Sequence, residues 1–326
     1  MRILVIGGTK FLGRHFVQPA LARGHELTLF TRGRTNPDLF PEAEHLRGDR
    51  DGDLAAFRGR DWDAVIDTSG YVPRVVRQAA ELLRNAASQY LFVSSISAYA
   101  SYEGKPTEGD PTAVLEDPDT EDILPNYGGL KAACERVVEE TYGDRATIVR
   151  PGLIVGPHDP TGRFTYWPHR IAHGGDVLAP EPREKTLQFI DVRDLGEWMV
   201  RLVEERVGGV FNAAGPVPAP TMEDFLETCR AALSSDARLV WVDVEFLREH
   251  EVGEWMELPL WVGVLEPEYN GLLNADVSRA LANGLTFRSM DDTIRATLAE
   301  AGLTDDAGLK PERERELLDA WAARSA

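Results

Sequence analysis

The chain has 326 residues, 43% of them hydrophobic and 27% charged, with a formal net charge of −19; one core rarely fills that length, so one large domain with a smaller appendage is expected. The acidity argues against a nucleic-acid partner, whose binding needs a basic footprint. No apolar run is long enough to span a bilayer, and the opening Met-Arg-Ile-Leu-Val-Ile-Gly-Gly is too short in its apolar core for a signal peptide, so a cytoplasmic protein with no membrane partner is expected.

Ile3–Ile6 reads as a buried strand that runs into a glycine-rich turn, then a helix over Phe11–Arg23 closed by Gly24. Apolar runs follow at Leu27–Phe30, near Leu46 and at Ala64–Asp67. A helix opened by Pro73 ends near Ala87, and Tyr90–Ser94 forms the next strand. Proline in the first turn and glycine just past the end are the expected helix punctuation. Glu103 to Asp122 carries eight carboxylates, one lysine and three prolines. This stretch is either a solvated surface loop or a lid that disfavours polyanionic substrates. A helix over Tyr127–Tyr142 and a strand at Thr147–Arg150 complete the alternation. Continuous apolar strands separated by helices mean a parallel sheet covered on both faces, so the fold class is α/β, doubly wound and of Rossmann type.

From Pro151 the rhythm breaks. Proline-, glycine- and aromatic-rich segments flank one strand-to-helix unit at Gln188–Val203, and residues 221–233 and 311–323 are patterned as amphipathic helices. Part of this half is expected to finish the sheet and the rest to form an interleaved, smaller lobe. The two cysteines, Cys134 and Cys229, lie in helical segments and give neither a disulfide framework nor zinc spacing.

The turn Gly7-Gly8-Thr9-Lys10-Phe11-Leu12-Gly13 stands between a first strand and a first helix, the context that suits a dinucleotide. Gly7 permits the tight turn, Gly8 lets backbone approach a phosphate, and Gly13 allows close helix–strand packing. The helix N-terminus offers N–H groups and partial positive charge to a pyrophosphate. After the second strand an NAD site usually places an acid on the ribose. Here the chain reads Thr31-Arg32-Gly33-Arg34, so Arg32, with Arg34 and Lys10, suits a 2′-phosphate and NADP is preferred to NAD. Asp49, after the third strand, either accepts from the adenine amine or serves a turn.

Tyr127 and Lys131 are four residues apart, which stacks a phenol and an ammonium on one helix face. A cation beside a tyrosine lowers the phenol's pKa toward the range useful for proton transfer. The serines of Phe92-Val93-Ser94-Ser95-Ile96-Ser97-Ala98-Tyr99 leave the end of a central strand, where ligands sit in open α/β sheets.

With these motifs in order the chain resembles the extended short-chain dehydrogenase/reductase family. The resemblance runs from Arg2 to about Ala214, through Gly7–Gly13, Ser94–Tyr99, Tyr127–Lys131, Arg150–Pro157, Phe189–Asp194 and Phe211–Ala214. It implies Ser95, four before Tyr99, with Tyr127 and Lys131 as the catalytic trio, Lys131 also holding the nicotinamide ribose. It implies that Pro151, Gly152, Leu153 and Ile154 line the nicotinamide carboxamide. The division that follows is a dinucleotide-binding domain over 1–152 plus about 186–214, and a substrate lobe over about 153–185 plus 215–326. Lys10 departs from the family's middle glycine. Ile96 and Ser97 stand where sugar-nucleotide 4,6-dehydratases carry Asp-Glu, which argues against dehydration.

The loop after Pro157 is where the family places substrate contacts. His158, Arg163 and Trp167 there, with Ser97, are the candidates; Arg163 suits a phosphate or carboxylate and Trp167 a ring. His169 and His173 have the spacing of a helical metal pair without a third ligand, so no metal site is expected. The expected activity is an NADP(H)-dependent oxidoreductase or epimerase acting on a secondary alcohol or ketone, of a sugar or nucleotide sugar. The partner is a small-molecule substrate, and the family habit implies a homodimer. The alternative is a non-catalytic nucleotide sensor or an RNA-binding relative, since the Gly-Gly-Thr-Lys-Phe-Leu-Gly opening is similar to a branch that includes chloroplast RNA-binding proteins.

Overall fold

A computed structural model describes residues 1–300 and 307–324. In chain order the first half runs β1 (Arg2–Ile6), α1 (Phe11–Ala22), β2 (Glu26–Thr31), β3 (Glu44–Arg47), β4 (Trp62–Asp67), α2 (Pro73–Leu83), β5 (Ala87–Val93), α3 (Ile123–Tyr142) and β6 (Ala146–Pro151). The second half adds β7 (Ile154–Val155), α4 (Tyr166–Ala172), β8 (Asp176–Pro180), β9 (Ile190–Asp191), α5 (Val192–Glu204), β10 (Gly209–Ala213), α6 (Met222–Ala232), β11 (Arg238–Val242), α7 (Val244–Glu249), α8 (Ser278–Ala282), α9 (Met290–Ala299) and α10 (Pro311–Arg324).

Seven strands form one parallel sheet in the order β10-β6-β5-β4-β1-β2-β3. The chain starts at β1, winds outward through β2 and β3, then returns to β4 on the other side. That reversal opens a crevice at the C-terminal ends of β1 and β4. One face is covered by α1 and α5, whose Phe16, Val17, Leu195 and Met199 pack on β1 and β2; α2 and α3 cover the other through Val76, Ala80, Val137 and Val138. A separate core gathers Phe164, Trp167, Phe225, Phe246 and Trp261 around β8, β11, α4 and α6.

Three boundaries differ from those expected. The second helix stops at Leu83, because the Ala86 N–H closes on the Leu83 carbonyl and the Ala86 carbonyl accepts from Trp62; β5 therefore starts at Ala87. The third begins at Ile123, four residues before Tyr127, with Pro125 in the first turn, where an N–H has no intrahelical acceptor. The acidic stretch is pinned at two interior points: the Ala113 N–H bonds the Ala98 carbonyl at 2.8 Å, and the Glu108 carboxylate accepts from the Asn212 N–H at 2.9 Å.

Candidate active site

A cavity of about 630 Å³ opens at the crevice between β1 and β4. Its walls come from the glycine turn, the ends of β2 and β4, the loop after β3, the end of β5, the Tyr127–Lys131 face of α3, and the end of β6 with the segment after it. Gly7 through Gly13 all line it. Gly7 has φ +114°, and a Cβ there would lie 2.4 Å from the Thr68 hydroxyl. At Gly13 a Cβ would meet the Gly8 nitrogen at 2.6 Å, so helix and turn touch through bare backbone. The result is a cradle whose N–H groups and helix terminus suit a diphosphate. Lys10 sits at the N-cap of α1, exposed, without a side-chain capping bond.

Arg32 and Arg34 reach the cavity rim with exposed side chains. Asp49 also lines it, while its Oδ1 accepts from the Asp51 N–H at 3.1 Å. The cavity wall and the turn thus use the same residue. Beneath them lies a cluster the sequence reading missed. Arg50 makes a bidentate pair with Asp67 at 2.7 and 2.8 Å and bonds the Ser69 hydroxyl at 3.0 Å; Tyr90 donates to Asp67 at 2.9 Å. Burial alone would push the Asp67 carboxyl up, but the Arg50 guanidinium and these hydrogen bonds hold it below its ordinary value. Thr68, Ser69 and Tyr71 follow Asp67 into the cavity wall. Their place just past a strand end was the available signal, since ligands collect there in parallel sheets.

Ser95 stands two residues past β5 in extended conformation, and its Oγ caps a short 3-10 turn at Ile96–Ala98 by accepting from the Ser97 N–H at 3.0 Å. Helix α3 is pressed against this turn: a Cβ on Gly128 would stand 2.1 Å from the Ser97 carbonyl oxygen. The glycine after Tyr127 thereby allows the close approach of α3, and Tyr127 and Ser95 line the same cavity, near enough for the serine hydroxyl to lower the phenol's pKa. Ser94 also lines the cavity, with its Oγ buried and without a partner.

Lys131 lies four residues on, as expected, but its surroundings differ. Its Nζ donates to the Gly70 carbonyl at 2.7 Å and the Val93 carbonyl at 2.6 Å, and it stands 4.3 Å from the Phe92 ring centre and 5.2 Å from that of Tyr71. Burial pulls the ammonium down to about 8, against the pull of Cys134, Asp67 and Glu135. The expectation that Lys131 lowers the Tyr127 phenol is not met. Burial pushes that phenol above its ordinary value and the Tyr71 phenol adds to the rise, while the Ser95 hydroxyl opposes it. Desolvation sets the direction, and two of the three N–H groups of the neighbouring ammonium are engaged by carbonyls.

Of the stretch from the end of β6 onward, Pro151, Gly152 and Ile154 line the cavity. Leu153 turns to the second core, and its carbonyl accepts from the Ile190 N–H at 2.8 Å. The substrate candidates do not converge. Trp167 is fully buried and donates to the Pro259 carbonyl at 2.6 Å, so it is a core residue and the expected ring contact is corrected. Its indole N–H could be satisfied indoors, which is why it packs there. Ser97 bonds within the turn and accepts from the Tyr102 hydroxyl. His158 stacks on His15 with ring centres 5.8 Å apart, and Arg163 lies over Trp255 at 5.1 Å. His173 bonds the His169 carbonyl through Nδ1 at 2.8 Å.

Comparison with known proteins gives a family and a fold. A family model described as the NAD dependent epimerase/dehydratase family matches residues 3–214. The chain is 26% identical over 234 residues to the chloroplast stem-loop binding protein of 41 kDa b of Arabidopsis thaliana, covering 66% of this chain and 58% of that protein. Its fold matches UDP-glucuronic acid 4-epimerase from Bacillus cereus in complex with NAD at TM-score 0.66 and 16% identity, over 92% of this chain and 96% of the other. The human epimerase family protein SDR39U1 (isoform 2) with NADPH matches at TM-score 0.61 and 20% identity, over 92% and 100%.

Proposed function

The chain belongs to the NAD dependent epimerase/dehydratase family, and from that premise we propose that it is an NADP(H)-dependent oxidoreductase or epimerase acting on a secondary alcohol or ketone of a sugar or nucleotide sugar. One observation carries the reading: Ser95, Tyr127 and Lys131 line the same cavity as the glycine cradle. A scaffold protein has no need of that convergence.

The cradle of Gly7 to Gly13 takes the diphosphate, Arg32 and Arg34 take the 2′-phosphate, and Asp49 faces the adenosine. Pro151, Gly152 and Ile154 wall the nicotinamide end. When bound, the dinucleotide supplies a ring that accepts or gives hydride. Tyr127 takes the hydroxyl proton of an alcohol or returns it to a ketone oxygen, and Ser95 donates to that oxygen to keep it in place. The raised phenol favours the protonated form, so Tyr127 is set to deliver a proton in the reductive direction. The human SDR39U1 structure holds NADPH, which supports the 2′-phosphate assignment, and the Bacillus cereus neighbour is named for a UDP-sugar, which supports the substrate class. Arg163 and His158 are the remaining candidates on the substrate side. Dehydration lacks its acid pair, since Ile96 and Ser97 occupy those places.

The relative named for stem-loop binding supports a second reading, an RNA-binding protein on the same fold. The net charge of −19 stands against it, because phosphate contacts need basic side chains. Tyr127→Phe tests the first reading. The variant should bind NADPH within about twofold of wild type and lose roughly 10²- to 10⁴-fold in turnover on a panel of nucleotide sugars and their ketones. Unchanged turnover would remove Tyr127 from the chemistry.

A further inference from the structure

Tyr71 follows β4 by four residues, lines the cavity, and is 43% exposed. Its ring lies 6.4 Å from that of Tyr127 and covers Lys131, whose Nζ is 5.2 Å from the ring centre. Two of the three N–H groups of Lys131 are taken by the Gly70 and Val93 carbonyls. Phe92, whose ring centre is 4.3 Å from the ammonium, is fully buried and is not among the residues that line the cavity, whereas Tyr71 is. The cavity side of Lys131 is therefore the side that Tyr71 covers.

A sugar hydroxyl that bonds Lys131 must approach from the cavity. An oxygen standing between Nζ and the ring would need about 3 Å on each side, more than the 5.2 Å available. We propose that Tyr71 is a cofactor-site residue that competes with the nicotinamide ribose for Lys131, so that the dinucleotide binds fully only when this ring moves aside. The ring is held by its attraction to the ammonium. The side chain is half in solvent, so the motion disturbs no core packing. Tyr71 thus sets the affinity of the nicotinamide half of the site and leaves the adenosine half untouched.

This inference rests on the dinucleotide reading above, and one experiment separates the two. NADPH and adenosine 2′,5′-bisphosphate, which lacks the nicotinamide ribose, are titrated against wild type, Tyr71→Phe and Tyr71→Ala, with circular dichroism to confirm folding. Tyr71→Ala should tighten NADPH by about 3- to 10-fold, the size of one cation–π contact, and leave the bisphosphate unchanged. Tyr71→Phe keeps the ring and should match wild type. Weaker or unchanged NADPH binding in Tyr71→Ala, or an equal gain for the bisphosphate, overturns the competition. Failure of wild type to bind either compound overturns the dinucleotide reading itself.

Discussion

Arg32 is exposed at the cavity rim in a stretch without an acid, and its value depends on what stands opposite it. A 2′-phosphate carries charge that a guanidinium can pair with in bidentate fashion, whereas a ribose hydroxyl gains little from it. Arg32→Ala should weaken NADPH about 10-fold or more and change NADH by less than about twofold. Equal affinities for both cofactors in both proteins would remove the case for a phosphate site. At this scale the sequence showed the reacting side chains but not their environment. Tyr127 and Lys131 were legible from their spacing; the carbonyls of Gly70 and Val93 that take the ammonium come from the loop after β4 and the end of β5, 61 and 38 residues away in sequence. No local pattern encodes them. Trp167 was misread for the same reason, since its partner carbonyl on Pro259 lies 92 residues on.

The elements of the first half were legible because β1, β2, β4, β5 and β6 are buried along most of their length and read as largely apolar runs, whereas β3, at the sheet edge, is only half-buried and showed as a weak run near Leu46. Helix α3 shows what is added by tertiary contact. Tyr127, Lys131 and Glu135 succeed one another at four-residue steps, and Glu135 makes a buried bidentate pair with Arg150 on β6 at 2.7 and 3.0 Å. That pair fixes the rotation of α3 about its axis and hence the direction in which Tyr127 points. The Gly128 contact with the Ser97 carbonyl fixes its distance from β5. The outer sides of α2 and α3 carry Arg74, Arg77, Glu81 and Glu140, with Arg77 paired to both Glu81 and Glu140. Leu82 and Leu124 are the exposed large apolar side chains on these two helices. The resemblance implies a homodimer through two sheet-flanking helices; one built on α2 and α3 would bury charge more than apolar surface. Among the described residues no helix is long and apolar enough to cross a membrane.

Across the whole molecule, the cofactor-loop helix meets the segment after β7 at His15. Its Nε2 donates to the Pro157 carbonyl at 3.1 Å, and its ring stacks on His158. Burial pulls the His15 imidazole down from 6.5 to about 4, and the hydrogen bond to Pro157 opposes part of that fall. Since the unfolded chain takes up this proton first, stability is fully present above pH 6.5 and is lost as pH falls toward 4. Each pH unit in that window removes on the order of 1 kcal/mol from this one group. Urea denaturation at pH 7 and pH 5 should show wild type losing more stability than His15→Gln; equal losses would place the acid sensitivity elsewhere. The second lobe was the least legible part of the chain. Its strand β7 and the β9 strand it pairs with are two residues long, and its core joins segments from Val155 to Leu317. Short strands carry too few residues to show a period, so only α6 and α10 stood out.

The central claim is that a nicotinamide ring lies beside an oxygen-binding pair made by Ser95 and Tyr127. A crystal structure of the protein with NADP⁺ tests it most directly. The account predicts density for the diphosphate on the Gly7–Gly13 turn, the 2′-phosphate beside Arg32, and the nicotinamide ring between Gly152 and the Tyr127 hydroxyl, with the Tyr71 ring displaced from Lys131. A nicotinamide ring lying outside the cavity, or a dinucleotide bound with its adenine at Tyr127, would contradict it.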